Sequence, residues 1–341
     1  MKVLIIANNI VGNFDGIGKH ARIVGAEMNK QGVVVEYSTG MTLKKSRFGL
    51  FVSLEMSKAY LKAMSKIIRV NFDYVDIEYP FNEYNPLVLV MHFFLWVVSR
   101  FVQTQVAFSM HEYDRVNPLR RFMIKCMLPF TDLIFISEDK YFKSLQRYSA
   151  KMHLRIIPSH GISYVPNSKD FSSHNCYCYF GLVNKSKAFD EMLQAWDEFN
   201  VEGKYHLDIV TITDLSEWNL ESHKGVIYHY NLSDADAGII LSKCVFSIIP
   251  VIPNIGYNNS SFVSTIQCGC IPIGKFNDSL KNEEFVINVK SYDVSDFVAA
   301  LYESQKYDMY EVKSSLALEF GTQFSVEKTA KMMISGFEEK L

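Results

Sequence analysis

The sequence predicts an α/β protein built from two doubly wound parallel-sheet domains. Three observations carry the prediction. Short continuous apolar runs alternate with amphipathic segments along nearly all 341 residues. The alternation pauses once, in the polar stretch NSKDFSSHN (167–175), and then restarts. Formal charge also changes sign there: residues 1–165 carry 21 Lys and Arg against 13 Asp and Glu, a formal +8, and residues 166–341 carry 14 against 24, a formal −10.

KVLIIA (2–7) is an unbroken apolar run, as expected of a strand covered on both faces. A helical period follows over 17–30, then the strand-like GVVVEY (32–37). Strand, helix and strand within about 35 residues make a βαβ unit and so a parallel sheet. Residues 55–69 form an amphipathic helix, with Met56, Tyr60, Ala63 and Ile67 on one face and Lys58, Lys62 and Lys66 on another. LVLVMHFFLWVVSRFV (87–102) is the most hydrophobic segment; it is short for a membrane span and reads as a buried helix, with membrane contact as the alternative. VAFSM (106–110), DLIFIS (132–137) and RIIP (155–158) complete the first series of strands.

The second series comprises YCYFGLV (177–183), HLDIVTI (206–212), GVIYHY (225–230), CVFSIIPV (244–251) and CIPIG (270–274). Helices are expected at 186–199, 233–243, 260–268 and 293–305. The expected divisions are 1–165, 166–322 and a terminal helix, 323–341, packing back on the first domain. In such folds ligands bind at the carboxyl ends of the strands, and here also in a cleft between the domains.

Six cysteines are scattered, two pairs as C-x-C, and no His cluster completes a zinc spacing. They read as reduced core thiols of a cytoplasmic protein, and no cleavable leader fits the first residues. No acidic D-x-D loop suggests a metal, and no cofactor is expected. The basic first half suits anionic lipid or a phosphorylated acceptor, with Lys58, Lys62, Lys66, Arg115, Arg120, Arg121 and Lys125 as candidate contacts. No aromatic-interleaved basic motif favours nucleic acid.

Four stretches carry candidate chemistry. GNFDGIGKH (12–20) joins the first strand to a helix start. It is no dinucleotide fingerprint, because Ala21 stands where the third glycine is needed, and no Walker pattern either. A helix N-terminus with Gly16 and Gly18 suits an anion; a turn needing positive φ is the equal alternative. SMHEYD (109–114) puts His111 and Glu112 at a strand's carboxyl end, where a histidine serves as acid or base, or simply as structure. In FGLVNKSKAFDEML (180–193), Lys185 or Lys187 can neutralise a leaving phosphate. In PNIGYNNSSFVSTIQCGCIPI (253–273), Ser260 or Ser261 can cap a helix whose first-turn N–H groups can hold phosphate.

Taken in order, eight stretches resemble the family-4 glycosyltransferases, which have the GT-B fold. DGIGKH (15–20) resembles that family's G-G-I-G-x-H loop. VDIEYP (75–80), FSMHEYD (108–114), DLIFIS (132–137) and RIIPSHGI (155–162) resemble its first-domain strands. YFGLVNKSKAFDEMLQAW (179–196), LSDADAGIILSKCVFSIIP (232–250) and FSVEKTAKMM (324–333) resemble the segments that follow. The resemblance implies a metal-independent transfer of sugar from a nucleotide-sugar donor to a hydroxyl of a glycan or lipid-linked acceptor, in surface polysaccharide synthesis and with retention. It implies that His111 lies by the transferred sugar and that Lys187, with Lys185, meets the donor phosphates. Gly16, Gly18, Asn259, Ser260, Ser261 and Ser264 fall on the donor side, and Lys19 and Glu112 on the acceptor side. Two departures stand out: Leu182 occupies the family's arginine position, and the two carboxylates of its E-x7-E motif are replaced by Gly256 and Ser264. A nucleotide-sugar epimerase and a non-catalytic sugar-binding protein are the alternatives. The expected location is cytoplasmic, peripheral at the inner face of a membrane.

Overall fold

The computed structural model describes residues 1–8, 16–40, 54–79, 86–111, 113, 118–137, 145, 152–154, 175–184, 187–257, 259–306 and 310–339. The chain divides into two compact units, Met1–Pro158 with Val326–Leu341, and Ser159–Ser325. The sequence-derived divisions at 165 and 322 lie seven and three residues from these.

Among the described residues the first unit holds a six-stranded sheet. Its strands are β1 (Lys2–Ala7), β2 (Val34–Thr39), β3 (Tyr74–Tyr79), β4 (Gln105–Met110), β5 (Leu133–Ile136) and β6 (Met152–Leu154). They lie in the order β2-β1-β3-β4-β5-β6, every pair parallel. The order reverses at β1, so the carboxyl ends of β1 and β3 flank a topological switch point, where doubly wound sheets bind ligands. RIIP (155–158) lies outside the described residues; β6 is the segment just before it.

One face of this sheet is covered by α2 (Glu55–Arg69), α3 (Leu87–Phe101) and α4 (Pro118–Met127). The periodic face of α2 is buried through Met56, Ala59, Tyr60, Ala63 and Ile67, as its spacing requires. The opposite face is covered by α1 (Gly16–Lys30) and the terminal helix α10 (Val326–Glu338). Ala330, Met333 and Phe337 of α10 pack with Val3, Ile5 and Phe135, and the Tyr74 hydroxyl donates to the Phe337 carbonyl. Gly336 lets α10 approach closely, because a Cβ there would lie 3.1 Å from Phe135 Cζ and 3.4 Å from the His153 ring.

In the second unit the strands are β7 (Cys176–Phe180), β8 (His206–Thr211), β9 (Val226–Tyr230), β10 (Phe246–Ile249), β11 (Ile271–Gly274) and β12 (Ile287–Asn288). Their order, β12-β11-β10-β7-β8-β9, is the 3-2-1-4-5-6 arrangement of dinucleotide-binding sheets, with its switch point between β7 and β10. The helices are α5 (Phe189–Phe199), α6 (Asp234–Lys243), α7 (Ser260–Gln267), α8 (Val294–Ser304) and α9 (Tyr310–Gly321). Trp196 of α5 is fully buried against Tyr177, and its indole N–H donates to the Lys224 carbonyl over 2.9 Å.

Among the described residues no helix is long and apolar enough to cross a membrane. Yet α3 is apolar on both sides. Val88, His92, Leu95 and Ser99 face the core, while Leu87, Val90, Phe94 and Phe101 form an exposed stripe. Leu119 and Phe122 of α4 are exposed as well. The buried-helix expectation for 87–102 therefore holds for one face only.

Candidate functional site

Each unit presents a cluster at the carboxyl end of its own sheet. In the first unit β3 reads YVDIEY and is buried throughout, yet it carries two carboxylates. Successive residues of a strand alternate faces, so Asp76 and Glu78 share the α1 face. On neighbouring β4, Ser109 shares that face, as does His111 immediately after the strand. Ser109 Oγ lies 2.8 and 3.0 Å from the Asp76 carboxylate oxygens. His111 Nε2 donates to Glu78 Oε2 over 2.5 Å. The backbone fixes this histidine too: His111 N–H donates to the Tyr79 carbonyl, and Ser137 Oγ donates to the His111 carbonyl.

A third group arrives from α1. The His20 ring stands edge-on to His111, with ring centroids 4.8 Å apart. His20 and Glu78 are 0% exposed and His111 5%. A buried carboxylate is costly unless matched by hydrogen bonds or charge, and the His111 imidazole supplies that hydrogen bond to Glu78. The field of Glu78 reaches Tyr37 on β2. Burial chiefly, and then the Glu78 charge, push that phenol up to about 12, so it stays a neutral donor, to the Ala21 and Arg22 carbonyls. Gly16 and Gly18 belong to the first turn of α1 itself, one on each side of Ile17 and just before His20. Lys19 is half-buried on the same turn. Glu112 lies outside the described residues. One ligand atom from each of His20, Glu78 and His111 lies within 4.8 Å of the others, a donor set that can share a proton or hold a divalent cation.

In the second unit, β7 ends at Phe180, and Gly181 follows with φ +133°. A Cβ at Gly181 would run into Ser261 Oγ, so glycine is what allows the start of α7 to sit against the end of β7. Asn259 caps α7, its side chain accepting from Phe262 N–H over 2.9 Å. The N-terminus of α7, with its partial positive charge, thus meets the switch point of this sheet. Ser260 is half-buried in the first turn, Ser261 is 7% exposed, and Ser264 is 0% exposed. Gly256 is buried, and its carbonyl accepts from Asn259 N–H. Lys187 is held beside the end of β10 by an antiparallel bridge to Val251, and Ala188 N–H donates to the Pro250 carbonyl. Lys185 lies outside the described residues.

The sequence thus singled out His111, Lys187 and the start of α7, which sit at the carboxyl ends of their sheets. It did not single out Glu78 or His20, although both lie in stretches it quoted. The signal was present: an acidic pair spaced i, i+2 inside an otherwise apolar strand must find partners on one face.

No protein-family model matches the chain, and no curated protein matches it in sequence. Solved structures do match in fold. One is Alr3699/HepE of Anabaena in complex with UDP and glucose, at 10% identity and TM-score 0.69, covering 100% of both chains. Another is the catalytic domain of starch synthase IV of Arabidopsis thaliana bound to ADP and acarbose, at 10% identity and TM-score 0.65, covering 98% of both. A third is WaaG, described as a glycosyltransferase involved in lipopolysaccharide biosynthesis, at 10% identity and TM-score 0.64, covering 100% of both. The fold is therefore GT-B, two Rossmann-like parallel-sheet domains, over the whole chain.

Proposed function

We propose that this protein is a glycosyltransferase, moving a sugar from a nucleotide-sugar donor to a hydroxyl of a glycan or lipid-linked acceptor. The observation that carries the proposal is the buried Glu78–His111 pair at the switch point of the first sheet, in a chain similar over its full length to HepE, which is described with UDP and glucose. The acceptor hydroxyl gives its proton to the outer nitrogen of His111, and Glu78 stabilises the resulting imidazolium. The acceptor oxygen bonds to the anomeric carbon as the bond to the diphosphate breaks, giving a glycoside and a nucleoside diphosphate.

The leaving diphosphate gathers negative charge. Lys187, Lys185 and the N-terminus of α7, through Asn259, Ser260 and Ser261, are assigned to neutralise it without a metal. Without the E-x7-E carboxylates, donor recognition falls to backbone N–H groups and hydroxyls. Displacement by a base-activated hydroxyl inverts the anomeric centre, so the Glu78–His111 pair favours inversion over the retention that the resemblance implies. The anomeric coupling of the product, read by NMR, distinguishes the two.

The buried acidic pair Asp76 and Glu78 also gives the epimerase reading a specific footing. Incubation with a panel of nucleotide sugars tests both. Free nucleoside diphosphate marks transfer, an epimeric nucleotide sugar marks epimerisation, and binding without turnover marks a sugar-binding protein.

The acceptor side is assigned to an anionic membrane surface. The exposed stripe Leu87, Val90, Phe94 and Phe101 offers apolar area, and Arg120, Arg121 and Lys125 of α4 supply positive charge beside it. Of the α2 lysines, Lys58 pairs with Glu55 and Lys66 with Glu36, so that row is partly neutralised.

A further inference from the structure

At the amino end of the second sheet, remote from the proposed donor site, two thiols and a carboxylate converge. Cys176 opens β7 and Cys244 follows α6, 68 residues later. A hydrogen bond from Val245 N–H to the Cys176 carbonyl lays the two segments side by side. Their sulfurs are 2.7 Å apart. Both also approach one oxygen of Asp208 on β8: Oδ2 is 3.4 Å from Cys176 Sγ and 3.6 Å from Cys244 Sγ. The other oxygen, Oδ1, accepts from His229 Nε2 over 2.7 Å. The three donor atoms lie within 4.8 Å of one another.

We propose that Cys176, Cys244 and Asp208 form a binding site for a thiophilic divalent cation such as Zn²⁺, with His229 orienting the carboxylate. Zinc takes sulfur at about 2.3 Å and carboxylate oxygen at about 2.0–2.2 Å, so tetrahedral S···O edges are about 3.5 Å. Both measured S···O separations match that edge. Only the sulfurs must move apart, by about 1 Å, to reach the S···S edge that the same bond lengths set. Cys244 is buried and Cys176 only half-buried, so the movement falls to the Cys176 side chain.

On binding a dication both thiols release their protons to solvent, and two thiolates and a carboxylate face the ion. The residual negative charge faces His229. Cys178 and Cys270 lie behind the cluster, their sulfurs 3.9 Å apart, and close it on the core side. No sequence spacing announces the site, because sheet register assembles it.

The test uses the purified full chain with Co²⁺ as a spectroscopic probe and Zn²⁺ as competitor. The expected result is a sulfur-to-cobalt charge-transfer band that saturates at one ion per chain, bleaches on adding Zn²⁺, and accompanies proton release. Cys176→Ser and Cys244→Ser each weaken the band and the double variant abolishes it, and Asp208→Asn weakens binding by about 10- to 100-fold. Cys126→Ser, outside the cluster, leaves it intact. Circular dichroism confirms that each variant is folded, and Asp208→Asn carries the test if a cysteine variant is not. Zn²⁺ should also raise the thermal midpoint without changing nucleotide release. The proposal is overturned if the folded protein shows no band. It is equally overturned if the band survives in the Cys176→Ser, Cys244→Ser double variant, or if two thiols are lost and dithiothreitol restores them with no ion present, which marks a disulfide.

Discussion

His111 Nε2 stands 2.5 Å from Glu78 Oε2, joining the end of β4 to the penultimate residue of β3. Strand pairing places Glu78 opposite Ser109, two residues before His111, so the bond crosses the sheet diagonally. Both side chains are nearly solvent-free, with side-chain exposures of 7% and 1%. If this carboxylate holds and charges the imidazole during transfer, Glu78→Gln should keep the hydrogen bond's shape while removing its charge. The expected loss in kcat is about 10²- to 10⁴-fold, the usual worth of acid–base catalysis, with KM for the donor little changed. A Glu78→Gln enzyme with wild-type kcat refutes this role.

Gly181 and Ser261 should be energetically coupled, because a side chain at one position meets the hydroxyl of the other. Gly181→Ala is expected to destabilise the fold by about 1–3 kcal/mol, since φ +133° strains any L residue, and to weaken nucleotide binding. Removing the hydroxyl in a Gly181→Ala, Ser261→Gly double variant should recover part of the loss, with a coupling of about 0.5–3 kcal/mol. Urea unfolding and nucleotide titration of the four proteins measure it. Strict additivity would mean that α7 does not sit against β7 as described.

His92 in the middle of α3 links the folding of the first unit to pH. It is fully buried, Nε2 within 3.1 Å of the Met127 carbonyl and 3.2 Å of Thr131 Oγ1. Burial lowers its pKa from 6.5 to about 4, opposed in part by hydrogen bonds to the Met127 and Phe130 carbonyls. The folded state therefore resists a proton that the unfolded chain accepts below pH 6.5. Its contribution is fully present above that value and drains away as pH falls towards about 4. The total is about 3 kcal/mol. Stability from urea unfolding should fall across this window in the wild type, and more shallowly in His92→Gln. Identical slopes would place the titration elsewhere.

Phe94 and Phe101, 48% and 84% exposed, are the outermost aromatic groups of α3. Co-sedimentation with anionic vesicles at low salt should capture the wild type, and the Phe94→Ser, Phe101→Ser double variant should lose at least about tenfold in affinity. Vesicles of zwitterionic lipid should bind less. Absence of binding to anionic vesicles at low salt removes the membrane assignment.

Sequence legibility followed hydrophobic period. The α2 helix was readable to the residue because its buried face is large and apolar. By contrast α9 was not anticipated: it buries Ser314, Ala317 and Gly321, with Ser314 Oγ donating to the Gly269 carbonyl over 2.6 Å. Close backbone approach on small residues leaves no apolar stripe to read. The charged residues of α4 sit on a helix whose other face buries Met123, Ile124 and Met127. In the candidate site, His111 was legible because it ends a strand. Glu78 was hidden inside one, and His20 in a helix turn, since their meaning depends on strand register and on how α1 lies across the sheet.

Transfer from a nucleotide sugar, with His111 and Lys187 in the machinery, is tested most directly by release of nucleoside diphosphate from a panel that includes UDP-glucose, by the wild-type chain, His111→Ala and Lys187→Ala. Release by the wild type, falling at least about 100-fold in both variants while each stays folded, is the result predicted. Undiminished turnover in both variants, or no release from any donor in the panel by the folded wild-type chain, would contradict it.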